Sequence, residues 1–167
     1  MSTVQGILSK GIQLLEDFIQ SSAYPEGNRL DVWVKPENLK AAVQTLIDHQ
    51  WGYLVTITGL DHAPSVDDEG QVVKGGQIEG LYHFAEESCV ITIRVKVDYA
   101  SPEFESICDI IPSATLYERE FIELFGVEIA GTPDPSHLVL PDGWPEQVYP
   151  LRKSFSGLQE ELIGGKE

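Results

Sequence analysis

The sequence predicts an α+β domain: a mostly antiparallel four-stranded sheet with helices packed on one face, followed by an extended proline-rich C-terminal arm. Three observations carry this. Two stretches with apolar residues at helical spacing precede Gly52. Beyond Gly52, strand-like stretches follow one another without an intervening helix, the order of an α+β fold rather than of alternating βαβ units. Residues 127–155 then hold Pro133, Pro135, Pro141, Pro145 and Pro150 among large apolar side chains.

Val4, Ile7, Leu8, Leu15, Phe18 and Ile19 recur at helical spacing, which predicts an amphipathic helix over residues 3–21. A turn at Tyr24-Pro25-Glu26-Gly27-Asn28 leads to Leu30, Val32 and Val34, alternating with polar or amphipathic neighbours as in a half-buried strand. Pro36 suits the first turn of a helix, and Leu39, Ala42, Val43, Leu46 and Ile47 form that helix's apolar stripe. Residues 53–58 read as a second strand, and the acidic, glycine-bearing residues 61–76 as a flexible hairpin loop. A third strand follows at 78–85. The fourth is the clearest, with Ile91, Ile93, Val95 and Val97 facing one way and Thr92, Arg94 and Lys96 the other. Ser101-Pro102-Glu103 reads as the start of a short helix with Phe104, Ile107 and Cys108 inward. A last helix over 113–125 turns Tyr117, Phe121, Leu124 and Phe125 to one face and ends at Gly126. The expected division is therefore 1–126 as the domain, 127–155 as the arm and 156–167 as a flexible tail.

Composition narrows the function. The chain of 167 residues carries 11 Lys+Arg against 27 Asp+Glu, a net charge of −16. Nucleic-acid binding needs basic patches that neutralise phosphates, so that class is excluded, and direct adsorption to anionic lipid is disfavoured. The charge suits solubility and docking to a basic protein face. No run approaches the roughly 18 apolar residues of a membrane span, and Met1 to Gly6 lack the basic-then-apolar order of a secretory signal. Cys89 and Cys108 stand alone, without a CxxC, and are expected to be buried thiols in a reducing compartment.

Tests for chemistry return little. Lys74-Gly75-Gly76 lacks the strand–loop–helix setting and the Lys-Ser/Thr of a phosphate loop. No GxSxG turn occurs. Asp61, His62 and His83 form the one corner where a metal-dependent hydrolase site is conceivable, but no HxH or HxxxH spacing supports it. Glu118, Glu120 and Glu123 share a helix with Arg119 and read as ion pairs or a solvated face. A freestanding acidic binding module is the other alternative. The features that stand out are the two ends of the arm: the Glu-Arg-Glu helix closing on Leu-Phe-Gly, and Tyr149-Pro150-Leu151-Arg152-Lys153, where Arg152 is placed to pair with a carboxylate of a partner or of its own chain.

These ends carry a resemblance. Glu118-Arg119-Glu120, Leu124-Phe125-Gly126, Gly131-Thr132-Pro133-Asp134, Asp142-Gly143-Trp144 and Pro150-Leu151-Arg152-Lys153, in this order, resemble the 30-kDa subunit of the proton-pumping NADH-quinone oxidoreductases (respiratory complex I). The same family includes the corresponding subunit of membrane-bound energy-converting nickel–iron hydrogenases. Thr132 stands where the respiratory subunits usually carry His, and the Leu138–Asp142 run with Trp144-Pro145 is similar to hydrogenase-type or otherwise divergent members.

The resemblance implies a non-catalytic assembly subunit in the peripheral arm of such a complex, on the cytoplasmic side of the membrane and attached to it only through the complex. Flavin, iron–sulfur clusters or nickel–iron are expected in partner subunits and no cofactor in this chain. The implied partners are the large quinone-site or hydrogenase-like subunit and the iron–sulfur small subunit. The residues expected to bind them are Leu138, Trp144, Tyr149 and Leu151 as apolar anchors and Arg119, Arg152 and Lys153 as polar locks, with Glu120 and Asp142 from the same motifs.

Overall fold

The computed structural model describes residues 3–69 and 71–158. Its element order is α1 (Val4–Leu15), β1 (Ile19–Glu26), β2 (Arg29–Val34), α2 (Leu39–Asp48), β3 (Tyr53–His62), β4 (Ser65–Val66), β5 (Val72–Lys74), β6 (Gln77–Glu86), β7 (Cys89–Asp98), β8 (Glu103–Glu105), α3 (Ala114–Phe125) and β9 (Glu128–Ala130). Short 3-10 turns at Glu16–Phe18 and Pro36–Asn38 lead into β1 and α2.

The main sheet runs β1-β2-β7-β6-β3. Its pairs are antiparallel except β2–β7, which lie parallel with Leu30 opposite Ile91 and Val32 opposite Ile93. One face is apolar: Leu30, Val32, Ile91, Ile93, Val95, Ile78, Tyr82, Phe84 and Ile57 are all buried there. The three α-helices of the described residues all cover that face. Ile7, Leu8 and Leu15 of α1 and Leu39, Ala42, Val43 and Leu46 of α2 enter the same core, and Trp51 ties them by donating from Nε1 to the Ile7 carbonyl at 3.1 Å. Phe121 and Phe125 of α3 lie so close over Gly59 that a Cβ there would stand 2.6 Å from the Phe125 ring. At about 25 cal/mol per Å² of apolar surface, this shared burial is what holds helices to sheet.

The opposite face is polar, and among the described residues no helix covers it. At its centre the Glu79 carboxylate, fully buried, accepts from Arg94 Nε (2.9 Å), Arg94 Nη2 (3.0 Å) and Trp33 Nε1 (3.1 Å) and meets His62 Nε2 at 2.7 Å. Arg94 also donates to Asp31 at 2.7 Å and stacks over the Trp33 ring. Burial pushes the Glu79 carboxyl up, but the bonds from Arg94 and His62 outweigh it and hold it below the usual carboxylate range.

Several expectations are corrected. The first helix does not run over 3–21. It ends at Leu15, and Ile19–Glu26 forms a fifth strand, hairpinned to β2. Beyond Ile19 that strand is exposed on both sides and shows no alternation, so periodicity could not reveal it. The sheet is therefore five-stranded, not four. The short helix expected from Ser101 is instead strand β8, paired in parallel with β9, with Phe104 as its single inward side chain. The loop over 61–76 is partly ordered: β3 continues to His62, and β4 pairs with β5.

After Ala130 no helix or strand forms among the described residues. The proline-rich segment turns back over α3. The tail expected at 156–167 falls mostly, from residue 159 on, outside the described residues.

A candidate partner-binding surface on the third helix and C-terminal segment

Helix α3 fixes the C-terminal segment through charged side chains on its exposed and buried faces. Arg119 donates from Nε to the Ser136 carbonyl at 2.8 Å and from Nη2 to His137, and pairs with Asp134 at 3.4 Å. The bonds from Ser136, with Arg119 adding, hold the Asp134 carboxyl below its usual range. Glu123, 4% exposed, accepts from three successive backbone N–H groups: Leu138 at 3.1 Å, Val139 at 2.7 Å and Leu140 at 3.1 Å. A carboxylate in such a nest makes strong, charge-assisted bonds.

Glu118, 1% exposed, faces the other way. It accepts from Ser106 Oγ (2.9 Å) and the Ile107 N–H (2.8 Å), with Cys108 Sγ at 3.2 Å, and so locks the loop after β8. Burial pushes the Cys108 thiol up. Glu118 and Glu123 are thus core groups, not the solvated carboxylates that helix position alone suggested.

The end of α3 supplies the second attachment. Gly126 closes the helix in the left-handed region, φ 64°, its N–H donating to the Ile122 carbonyl. The Tyr149 ring packs into the space a Cβ would occupy, so glycine is required twice over. Arg152 donates to the Phe125 carbonyl and approaches that of Gly126, placing a cation on the carbonyl end of the helix. Its guanidinium lies 4.6 Å from the Tyr99 ring centre and 5.9 Å from that of Tyr149. The Leu151 N–H donates to Leu124 O at 3.1 Å. Asp61, at the end of β3, accepts from the Tyr99 hydroxyl and from the Lys153 N–H at 2.7 Å. Burial, together with the bond to Asp61, raises the Tyr99 hydroxyl pKa.

Of the expected partner contacts, Arg119 and Arg152 therefore have their guanidinium groups engaged within the chain. Trp144 is half-buried, donating from Nε1 to Val148 O at 2.7 Å and packing on Phe155 at 6.3 Å between ring centres. Tyr149 is half-buried on Gly126. Leu138, Val139 and Leu151 remain open, 40%, 58% and 52% exposed, as does Leu116 on α3 at 52%. Asp142 and Lys153 are exposed and Glu120 half-exposed. Val139, Leu116 and Glu123 are not among the partner contacts expected from sequence. The burial of Glu123 leaves no mark in the sequence, because its partners are backbone groups.

The Asp61, His62 and His83 corner does not converge. His62 meets Glu79, Asp61 faces Tyr99 and Lys153, and His83 lies between Thr58 and Thr92 at 3.0 Å each. Burial lowers the His83 pKa. Among the described residues no group of three or more His, Cys, Asp or Glu is placed to hold a metal ion, and no helix is long and apolar enough to cross a membrane.

A family model described as the respiratory-chain NADH dehydrogenase 30 Kd subunit matches residues 32–161. The chain belongs to this family. The 30 Kd family model covers the sheet from β2 onward, α3 and the segment docked on it. Among curated relatives, formate hydrogenlyase subunit 5 of Escherichia coli (strain K12) is 36% identical over 134 residues, and the C/D subunit of NADH-quinone oxidoreductase from Rhodopseudomonas palustris (strain BisB5) is 31% identical over 134 residues. Each match takes in 78% of this chain but 22% of the relative, so the chain spans about a fifth of the length of these proteins. A chain of the membrane-bound sulfane sulfur reductase, an archaeal respiratory membrane complex, shares the fold with a TM-score of 0.71 at 21% identity, over 90% of this chain and 86% of that one.

Proposed function

We propose that the chain is a non-catalytic assembly subunit in the peripheral arm of a proton-pumping NADH- or ferredoxin-quinone oxidoreductase, where it clamps the large quinone-site subunit beside the iron–sulfur small subunit. The observation that carries this is the division of labour on the C-terminal segment. Side chains Arg119, Glu123 and Arg152 hold the segment on α3, while Leu138, Val139 and Leu151 stand exposed along it. A prefolded segment presenting apolar groups loses little conformational freedom on docking, which favours affinity. Family membership supplies the kind of assembly. Flavin, iron–sulfur clusters or nickel–iron are assigned to partner subunits and none to this chain. The complex would hold it on the cytoplasmic side of the membrane.

The second reading is the equivalent subunit of a membrane-bound energy-converting nickel–iron hydrogenase, favoured by the 36% identity to formate hydrogenlyase subunit 5. Affinity purification of the tagged chain from its native membranes tests both. The expected result is co-purification of a large subunit with iron–sulfur partners, reduced about tenfold or more in a Leu138→Asp/Val139→Asp variant, since each anchor is worth over 1 kcal/mol. Nickel in the complex selects the hydrogenase, and bound quinone without nickel the respiratory enzyme. Recovery of the wild-type chain alone overturns the assembly reading.

A further inference from the structure

We infer that the outer edge of β3 is a strand-addition site. It takes an extended, apolar, cation-bearing segment of a different chain, paired along residues 56–60, with one apolar side chain seated between β3 and α3. This deepens the assembly reading and rests on it, because it requires a partner chain.

Among the described residues strand β3 is the last in the sheet, and β6 is its sole neighbour. Among the described residues no backbone partner lies on its outer side. Natural edge strands are normally blunted by short length, charge, proline or bulges, because an open row of N–H and C=O groups recruits other chains. The opposite edge obeys this: β1 contains Pro25, ends at Glu26 and breaks register twice. Strand β3 does not. It is ten residues long, and from Trp51 to Leu60 there is neither a charged residue nor a proline. Its one irregularity, between Leu54 and Thr56, leaves the stretch from Thr56 onward in regular register. Tyr53, Val55 and Leu60 are 66%, 41% and 42% exposed.

Beside this edge is a cleft of about 150 Å³, walled by Ile57 and Gly59 of β3, Phe121, Leu124 and Phe125 of α3, and Leu151. The cleft is open to solvent, with Thr58 and Glu120 at its rim, and its apolar wall has room for one side chain of an incoming strand. Strand addition typically draws affinity from main-chain bonds and selectivity from pockets for alternate side chains, and edge and cleft together supply both.

Charge selects the occupant. Glu120 lines the cleft, and Glu86, the last residue of β6, and Glu87 follow Ala85, the partner of Tyr53. On a chain of net charge −16, a second copy would bring like carboxylates together, whereas a Lys or Arg on the incoming strand would meet Glu120. The cleft is also continuous with the surface proposed above, since Leu151 belongs to both.

Residue-resolved hydrogen exchange on the free chain and on the complex purified from native membranes tests this. Inward amides of β3 already bond β6, so an added strand protects every second amide among residues 56–60. The expected gain is about 100-fold at those positions. A Val55→Lys/Leu60→Lys variant, changed only at exposed positions, should keep its unfolding midpoint and lose at least about tenfold in partner recovery, as edge lysines deter pairing. If the partner is recovered but these amides exchange as in the free chain, strand addition is wrong and the assembly reading stands. If no partner is recovered, both fall. Alternate-amide protection that grows with concentration in the free chain, with a dimer mass, makes a second copy the occupant and overturns the choice of partner.

Discussion

Gly126 shows how much can rest on one position. Its left-handed φ lets α3 end where it does, and its missing Cβ admits the Tyr149 ring. Gly126→Ala should therefore cost twice, about 1–2 kcal/mol for the backbone and about 1–3 kcal/mol for the displaced ring. Urea unfolding of the purified chain reads the sum, and a loss no larger than the backbone share, about 1–2 kcal/mol, would show that Tyr149 is not seated there. Sequence marks this glycine as a helix stop but not as a seat for an aromatic ring 23 positions later. The same holds for Arg119 and Arg152. Their motifs single them out, whereas what they hold, carbonyls at Ser136, His137 and Phe125, is visible only once the chain has folded back.

Elements were legible in proportion to how one-sided their burial is. Strand β7, with alternate residues in the core, and α2, with a clean apolar stripe, follow from periodicity. Strands β1 and β8 do not, because one is an exposed edge and the other offers a single inward residue. The C-terminal segment is the extreme case, since its order comes from side chains of another element. Glu123→Ala removes the acceptor of three N–H groups at once. It should cost about 1.5–3 kcal/mol of local stability, the scale of bonds to a charged group. Limited proteolysis is expected to open the chain between His137 and Leu140 while the sheet stays intact. Unchanged cleavage there would mean that Arg119 and Arg152 suffice to hold the segment.

For the molecule as a whole, the polar sheet face ties stability to pH. Glu79 has its folded pKa below the unfolded value, so its contribution is present above about 4.3 and is lost as pH falls through the folded value. Glu79→Gln should destabilise by about 3 kcal/mol at neutral pH, the scale for breaking a buried ion pair. The gap to the wild type should close on acidification, as followed by denaturation midpoints from neutral pH to about pH 3. A gap independent of pH would assign the effect to packing rather than charge.

The parallel pairing of β2 with β7 has a consequence in time. Arg29 and its partner Val90 lie 61 positions apart, which at about 5–20 residues per second separates their synthesis by roughly 3–12 s. For an interval of that length the emerged first hairpin has the inner side of β2 unpaired and Leu30 and Val32 uncovered by the strand they will lie beside. The nascent chain thus carries, for seconds, a second open edge that the finished protein lacks, and its safe passage depends on β7 arriving before another chain does.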